Sequence, residues 1–137
     1  MYNIGYAVIC ESAFNNGKQI IIKNPYSVIS PVNIPGNFSF DLAFSIIKDS
    51  EPSDGVEDAQ LKFRLEDPEG RVVVNSETLT IKVVNEENKN FLYGDANFNF
   101  ANVEFFKEGN FNLKIVLDGV VQKEVEIPVI RRDRLKE

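Results

Sequence analysis

The sequence predicts an all-β fold, an antiparallel β-sandwich of about seven to eight strands. Three observations carry that expectation. Apolar residues alternate with period two along most of the chain, turn signals separate the alternating runs at short spacing, and no window of useful length sets apolar residues at helical spacing without heavy β-branching. Successive side chains of a strand point to opposite faces, so such runs bury one face of a sheet against another.

Ile4, Tyr6, Val8 and Cys10 share one parity in the first run, which ends at the turn signal Asn15-Asn16-Gly17. Lys18 to Ile22 begins a second strand. Pro25, Pro31 and Pro35 interrupt the next stretch, so Tyr26 to Val32 is expected as an edge strand or an irregular crossing. The clearest alternation comes next: Phe38, Phe40, Leu42, Phe44 and Ile46 on one face, Ser39, Asp41, Ala43 and Ser45 on the other. After a polar, acidic loop over 49–58, Leu61, Phe63 and Leu65 alternate with Lys62, Arg64 and Glu66. Asp67-Pro68-Glu69-Gly70 reads as a type I turn, with Asp bonding back, Pro presetting φ and Gly closing it. The stretch 71–84 is β-branched but too long for one straight strand, and Asn75-Ser76 is the expected break. Ala96, Phe98 and Phe100 then alternate with asparagines, and Phe111 to Leu117, the Asp118-Gly119 turn and Val125, Ile127 and Val129 form a closing hairpin. Any helix is expected to be a turn or two within 131–137.

The run Phe106-Lys107-Glu108-Gly109-Asn110-Phe111-Asn112-Leu113-Lys114-Ile115, with Asp118-Gly119, resembles the last hairpin of immunoglobulin-like and fibronectin-type domains. Those domains usually carry a tyrosine where Phe111 stands, so its corner hydrogen bond is absent here. The resemblance narrows the expected fold to an immunoglobulin-like antiparallel β-sandwich and implies nothing about activity. Over most of its length the chain also resembles a family of uncharacterised bacterial and phage-associated proteins. The residues concerned are Ala7-Val8-Ile9-Cys10-Glu11, Asn16-Gly17-Lys18, Ile34-Pro35, Leu65-Glu66-Asp67-Pro68-Glu69-Gly70 and the closing hairpin. Where that family usually continues with Gly and an apolar-Phe-Asp pattern, this chain has Ile20 to Pro25, so a different second strand is expected.

With 137 residues, 43% of them hydrophobic and 26% charged, the chain can bury its own core. One domain over 1–130 is expected, followed by a charged, solvating tail at 131–137. A formal charge of −6 argues against a nucleic-acid ligand, because phosphate binding needs clustered Lys and Arg. Cys10 is the single cysteine, so no internal disulfide forms, and the N-terminus lacks a basic-then-apolar leader pattern. A cytoplasmic protein without cofactor or membrane partner is the corresponding expectation.

The absence of histidine excludes imidazole bases and the common triads, and one thiol cannot build a thiolate cluster. Cys10 reads as a small core residue rather than a nucleophile. Glu66, Asp67 and Glu69 are the tightest carboxylate group, but the turn explains Asp67 without a substrate. No metal site is expected: the acidic residues around Gly55 do not follow the spacing of a calcium loop. The leading expectation is therefore a non-enzymatic protein–protein interaction module. An acidic, phage-type inhibitor occupying a basic nucleic-acid-binding site is the alternative, and an enzyme working with carboxylates alone comes third. If consecutive strands run antiparallel, the connections at 14–17, 49–58, 85–91 and 118–119 meet at one acidic end. Asp49, Glu51, Asp54, Glu57, Asp58, Glu86, Glu87 and Asp118 are the candidate partner-binding residues there, suited to a basic protein. The opposite end, with Val32, Ile34, Phe105 and Phe106, is expected to be apolar and plugged. The final strand is expected to be an edge that resists added strands, because Pro128 cannot donate to a ladder and Lys123, Glu124 and Glu126 discourage pairing.

Overall fold

The computed structural model describes residues 2–49, 55–85 and 91–135, without the side chains of 49, 55–57, 83–85, 91 and 92. Its strands are β1 (Tyr2–Asn15), β2 (Ile20–Pro25), β3 (Gly36–Asp49), β4 (Gly55–Glu66), β5 (Val72–Asn75), β6 (Leu79–Asn85), β7 (Phe91–Phe105), β8 (Gly109–Leu117) and β9 (Val120–Val129). They form two antiparallel sheets packed as a sandwich. One has the order β2-β1-β3-β7, and the other has β5-β4-β8-β9 with β6 also on β4. The strand count exceeds the expected one partly because 71–85 divides into β5 and β6 near Asn75-Ser76, as the sequence indicated.

The core lies where alternation placed it. Phe40, Leu42 and Phe44 of β3, Leu61, Phe63 and Leu65 of β4, and Phe111, Leu113 and Ile115 of β8 are fully buried in one cluster, with Phe38 and Phe98 packed against it. Phe63 is its hub, its ring centroid 5.6 Å from Phe44, 4.6 Å from Phe98 and 5.7 Å from Phe100. Full burial of such a side chain stabilises by about 1.5–3 kcal/mol relative to exposure. The turns also match their chemistry. Asp67 accepts Gly70 N–H on its carbonyl, and its carboxylate accepts Glu69 and Arg71 N–H, all at 2.9 Å. Asp118 (φ 49°) and Gly119 (φ 81°) turn left-handed between Leu117 and Val120.

Cys10 is buried, as expected of a small core residue, but outside the main core. A register shift between Ile4 and Ala7 inverts the parity of β1, so Ala7 and Ile9 face the core beside Phe44 and Leu42. Cys10 sits opposite Asp41 instead, buried in a separate small cluster with Ala13 and Ala43 on the outer face of that sheet. At the shift the strands come very close: a Cβ on Gly5 would lie 2.2 Å from Ser45 Oγ, which accepts the Tyr6 N–H at 3.1 Å. Burial, and secondarily the Asp41 charge, pushes the Cys10 thiol up.

That outer cluster exists because the β1–β2 hairpin folds across the outer face of β3. Asp41 accepts the Ala13 N–H at 2.8 Å and an Asn99 side-chain N–H at 2.7 Å. At the far side Tyr6 OH donates to Asp95 at 2.7 Å and the Asn15 amide to the Asp95 carbonyl at 3.3 Å. Asp41 and Ser45, expected on the face away from the core, are consequently buried as well.

The two flanks of the sandwich differ. Along one, the segment 26–31 stitches the sheets together. Tyr26 N–H donates to the Ile9 carbonyl at 2.7 Å, Ile29 N–H to the Pro128 carbonyl at 2.9 Å, and Ile130 N–H back to Ile29 at 3.0 Å. Ile29 is fully buried, with a parallel bridge to Val129. Since the Pro128 carbonyl points to this outer side, so does its missing N–H, as an edge position requires. The edge expected at Pro128 is thus partly covered by the chain's own crossing segment.

Residues 131–134 of the charged tail are held to the domain. Glu108 accepts the Arg131 N–H at 2.9 Å and pairs with the Arg134 guanidinium. Those contacts, the backbone bond first, hold its carboxyl below the usual range. Residues Arg132–Arg134 form a single 3-10 turn.

Candidate functional site: the open flank

The opposite flank, between β7 and β5/β6, has no such stitch among the described residues. Alternation turns Ala96, Phe98 and Phe100 of β7 inward, but β7 is the edge of its sheet, so Phe98 remains only half-buried. Across from it stand Val72, Val73 and Val74 of β5 and Leu79 of β6, and Val72 is 53% exposed. Between them runs an open groove of about 870 Å³, floored by Phe98, Phe100 and Val103. It continues to Phe106, which is 66% exposed at the end of the sandwich. The expected plug at that end is therefore incomplete: Phe105 is fully buried, but Phe106 and Val32 point to solvent.

A local irregularity shapes each wall. On β7 the register shifts opposite Ser39, where Asn102 adopts φ 52° and donates its N–H to Ser39 Oγ at 2.8 Å. On the other wall the strand breaks at 76–78, and the Ser76 hydroxyl is engaged with the Phe63 N–H and the Glu77 carbonyl. Among the described residues no group of His, Cys, Asp and Glu side chains could hold a metal ion.

The rim is charged. Lys107 lies 2.8 Å from Glu69 and 3.6 Å from Asp67, and the Glu69 hydrogen bond holds its ammonium above the usual range. Backbone donation from Arg71 and Glu69 keeps the Asp67 carboxyl below its usual range. Glu77 and Glu104 also line the groove, with Arg71 as the remaining cation.

The acidic end is described only in part. Glu51, Asp54, Glu86 and Glu87 lie outside the described residues, as do the side chains of Asp49 and Glu57. Pairing of Asp49 with Phe91 and of Gly55 with Asn85 does bring the 49–55 and 85–91 connections to one end. Asp58 is exposed opposite Lys82. Asp118 serves the fold: its carboxylate accepts Gln60 N–H at 2.8 Å, and its own N–H donates to Gln60 O at 2.8 Å, extending the ladder past the end of β8. The 14–17 turn does not belong there by strand direction. Tyr2, not Asn15, pairs with Lys48 near the end of β3, and Asn15 reaches Asp95 only because the hairpin folds across.

Sequence reasoning missed the groove, since no local pattern says which strand ends a sheet. The absence of Lys, Arg and Pro from β7 was the available signal.

Residues 5–130 match a family of unknown function, DUF6941. The chain belongs to that family. Curated proteins yield no match. For this DUF6941 member the groove and its flanking edges are the starting point for function.

Proposed function

We propose that this DUF6941 protein is a non-enzymatic protein–protein interaction module that engages its partner through the open flank. The observation that supports this most is the asymmetry of the flanks, one closed by backbone hydrogen bonds from 26–31 and the other left as an apolar groove beside unpaired strand edges. Concave apolar surface with a polar rim is a common form of docking site. An immunoglobulin-like reading of the topology agrees with this role. With β2 set aside, β1, β3 and β7 form one sheet and β5/β6, β4, β8 and β9 the other, as in domains that present loops and edges to partners.

The test is co-purification from native cells with intact protein, a V72K/L79K variant and a D58K variant. Both groove positions are at least a third exposed, so the fold tolerates lysine there. Loss of a partner with V72K/L79K and its retention with D58K is expected. The reverse pattern would move the binding surface to the acidic end.

A further inference from the structure

We infer that the groove takes an extended, basic strand of a partner, which adds to the free edge of β7 with alternate apolar side chains in the groove and alternate Lys or Arg outside. This rests on the open-flank reading above and names its occupant.

The other edges carry features that oppose an added strand. β9 bears Lys123, Glu124, Glu126 and Pro128 and is clipped at its end by Ile29. β2 is short, with Lys23 and Pro25. The β5/β6 wall is interrupted at 76–78. Edge strands are ordinarily blunted by proline, lysine, breaks or covering segments. β7 runs for 15 residues with no Lys, Arg or Pro, and its pairing to β3 is continuous from Phe91 to Phe100. Among the described residues it is the long edge left open to a further strand, with one backbone carbonyl, that of Asp95, accepting the Asn15 amide.

The periodicity of β7 sets the partner's pattern. On an added strand, side chains in register with Phe98 and Phe100 enter the groove toward Val73 and Leu79, and those in register with Asp95, Asn97 and Asn99 stay on the outer face. The charges on β7 are Asp95 and Glu104, both acidic, and Glu77 faces the groove from the opposite wall. Lys107 is engaged by Glu69 and Asp67, and Arg71 is the other cation of a lining that sets Asp67, Glu77 and Glu104 against them. The chain as a whole carries −6. Complementarity therefore selects a basic strand over an acidic one and over a second copy of this chain.

The experiment uses the full chain and two synthetic peptides of about eight residues, enough to span roughly 26 Å of strand. One alternates Val and Lys, the other Val and Glu. Binding is followed by backbone amide shifts and hydrogen exchange. The Val–Lys peptide is expected to slow exchange of β7 amides between residues 94 and 101, the Val–Glu peptide to leave them unchanged, and an E77K/E104K variant to bind Val–Lys about tenfold more weakly. Equal protection by both peptides would overturn the basic strand and leave the open-flank reading standing. Protection of β9 or β5/β6 instead, no protection by either peptide, or concentration-dependent protection of β7 without peptide would overturn strand addition by a partner.

Discussion

Ser76 Oγ accepts the Phe63 N–H at 2.8 Å while the Ser76 N–H donates to the Phe63 carbonyl at 2.9 Å. One residue in the break between β5 and β6 thereby satisfies both backbone groups of Phe63, whose ring meets Phe44, Phe98 and Phe100 in the core. Ser76→Ala strips the acceptor from a buried N–H and is expected to cost about 1–3 kcal/mol. Urea unfolding measures it, and Ser76→Thr, which keeps the hydroxyl, should recover most of the loss.

Asp41 holds the β1–β2 hairpin over β3 through the Ala13 N–H and Asn99. Asp41→Ala leaves that buried N–H unpaired, again at about 1–3 kcal/mol. Faster hydrogen exchange at Ala13 and readier alkylation of Cys10, buried with Ala13 and Ala43 where the hairpin meets β3, should accompany the loss.

Tyr6 ties the same hairpin region to Asp95, and its phenol is pushed up from 10.0 to about 12, by burial first and by the Asp95 hydrogen bond second. The folded state holds the phenolic proton more tightly than the unfolded state does. This contribution is therefore fully present below pH 10 and is lost as pH rises from about 10 to about 12. Thermal melts of the protein and of Tyr6→Phe should differ at pH 8, with the gap closing at alkaline pH.

Ile29 is the buried anchor of the closed flank. Ile29→Ala is expected to destabilise by about 2–5 kcal/mol. Exchange at Ile130 and Arg132, which donate to Ile29 and Pro31, should rise more than at Leu113 in the central β8.

The core and turns were legible because they rest on local rules. Period two at Phe40, Leu42 and Phe44, the side-chain chemistry of Asp67 and the Asp118-Gly119 turn require no knowledge of neighbouring strands. Three features were not legible. The parity inversion in β1 depends on how Gly5 meets Ser45, a contact 40 residues away in sequence. The second burial of Asp41 follows from a hairpin folding over a sheet, which alternation alone cannot report. The open flank follows from β7 being last in its sheet, a property of the whole topology. Prolines at 25, 31 and 35 did announce an irregular crossing, yet not that Ile29 would clip β9.

Amide hydrogen exchange of the free protein tests most directly whether one flank is closed and the other open. Ile29, Ile130 and Arg132 should exchange slowly although they lie outside the regular strands, while alternate amides of β7 between Asp95 and Ala101 exchange quickly. Fast exchange at the crossing segment together with uniform protection along β7 would contradict the account.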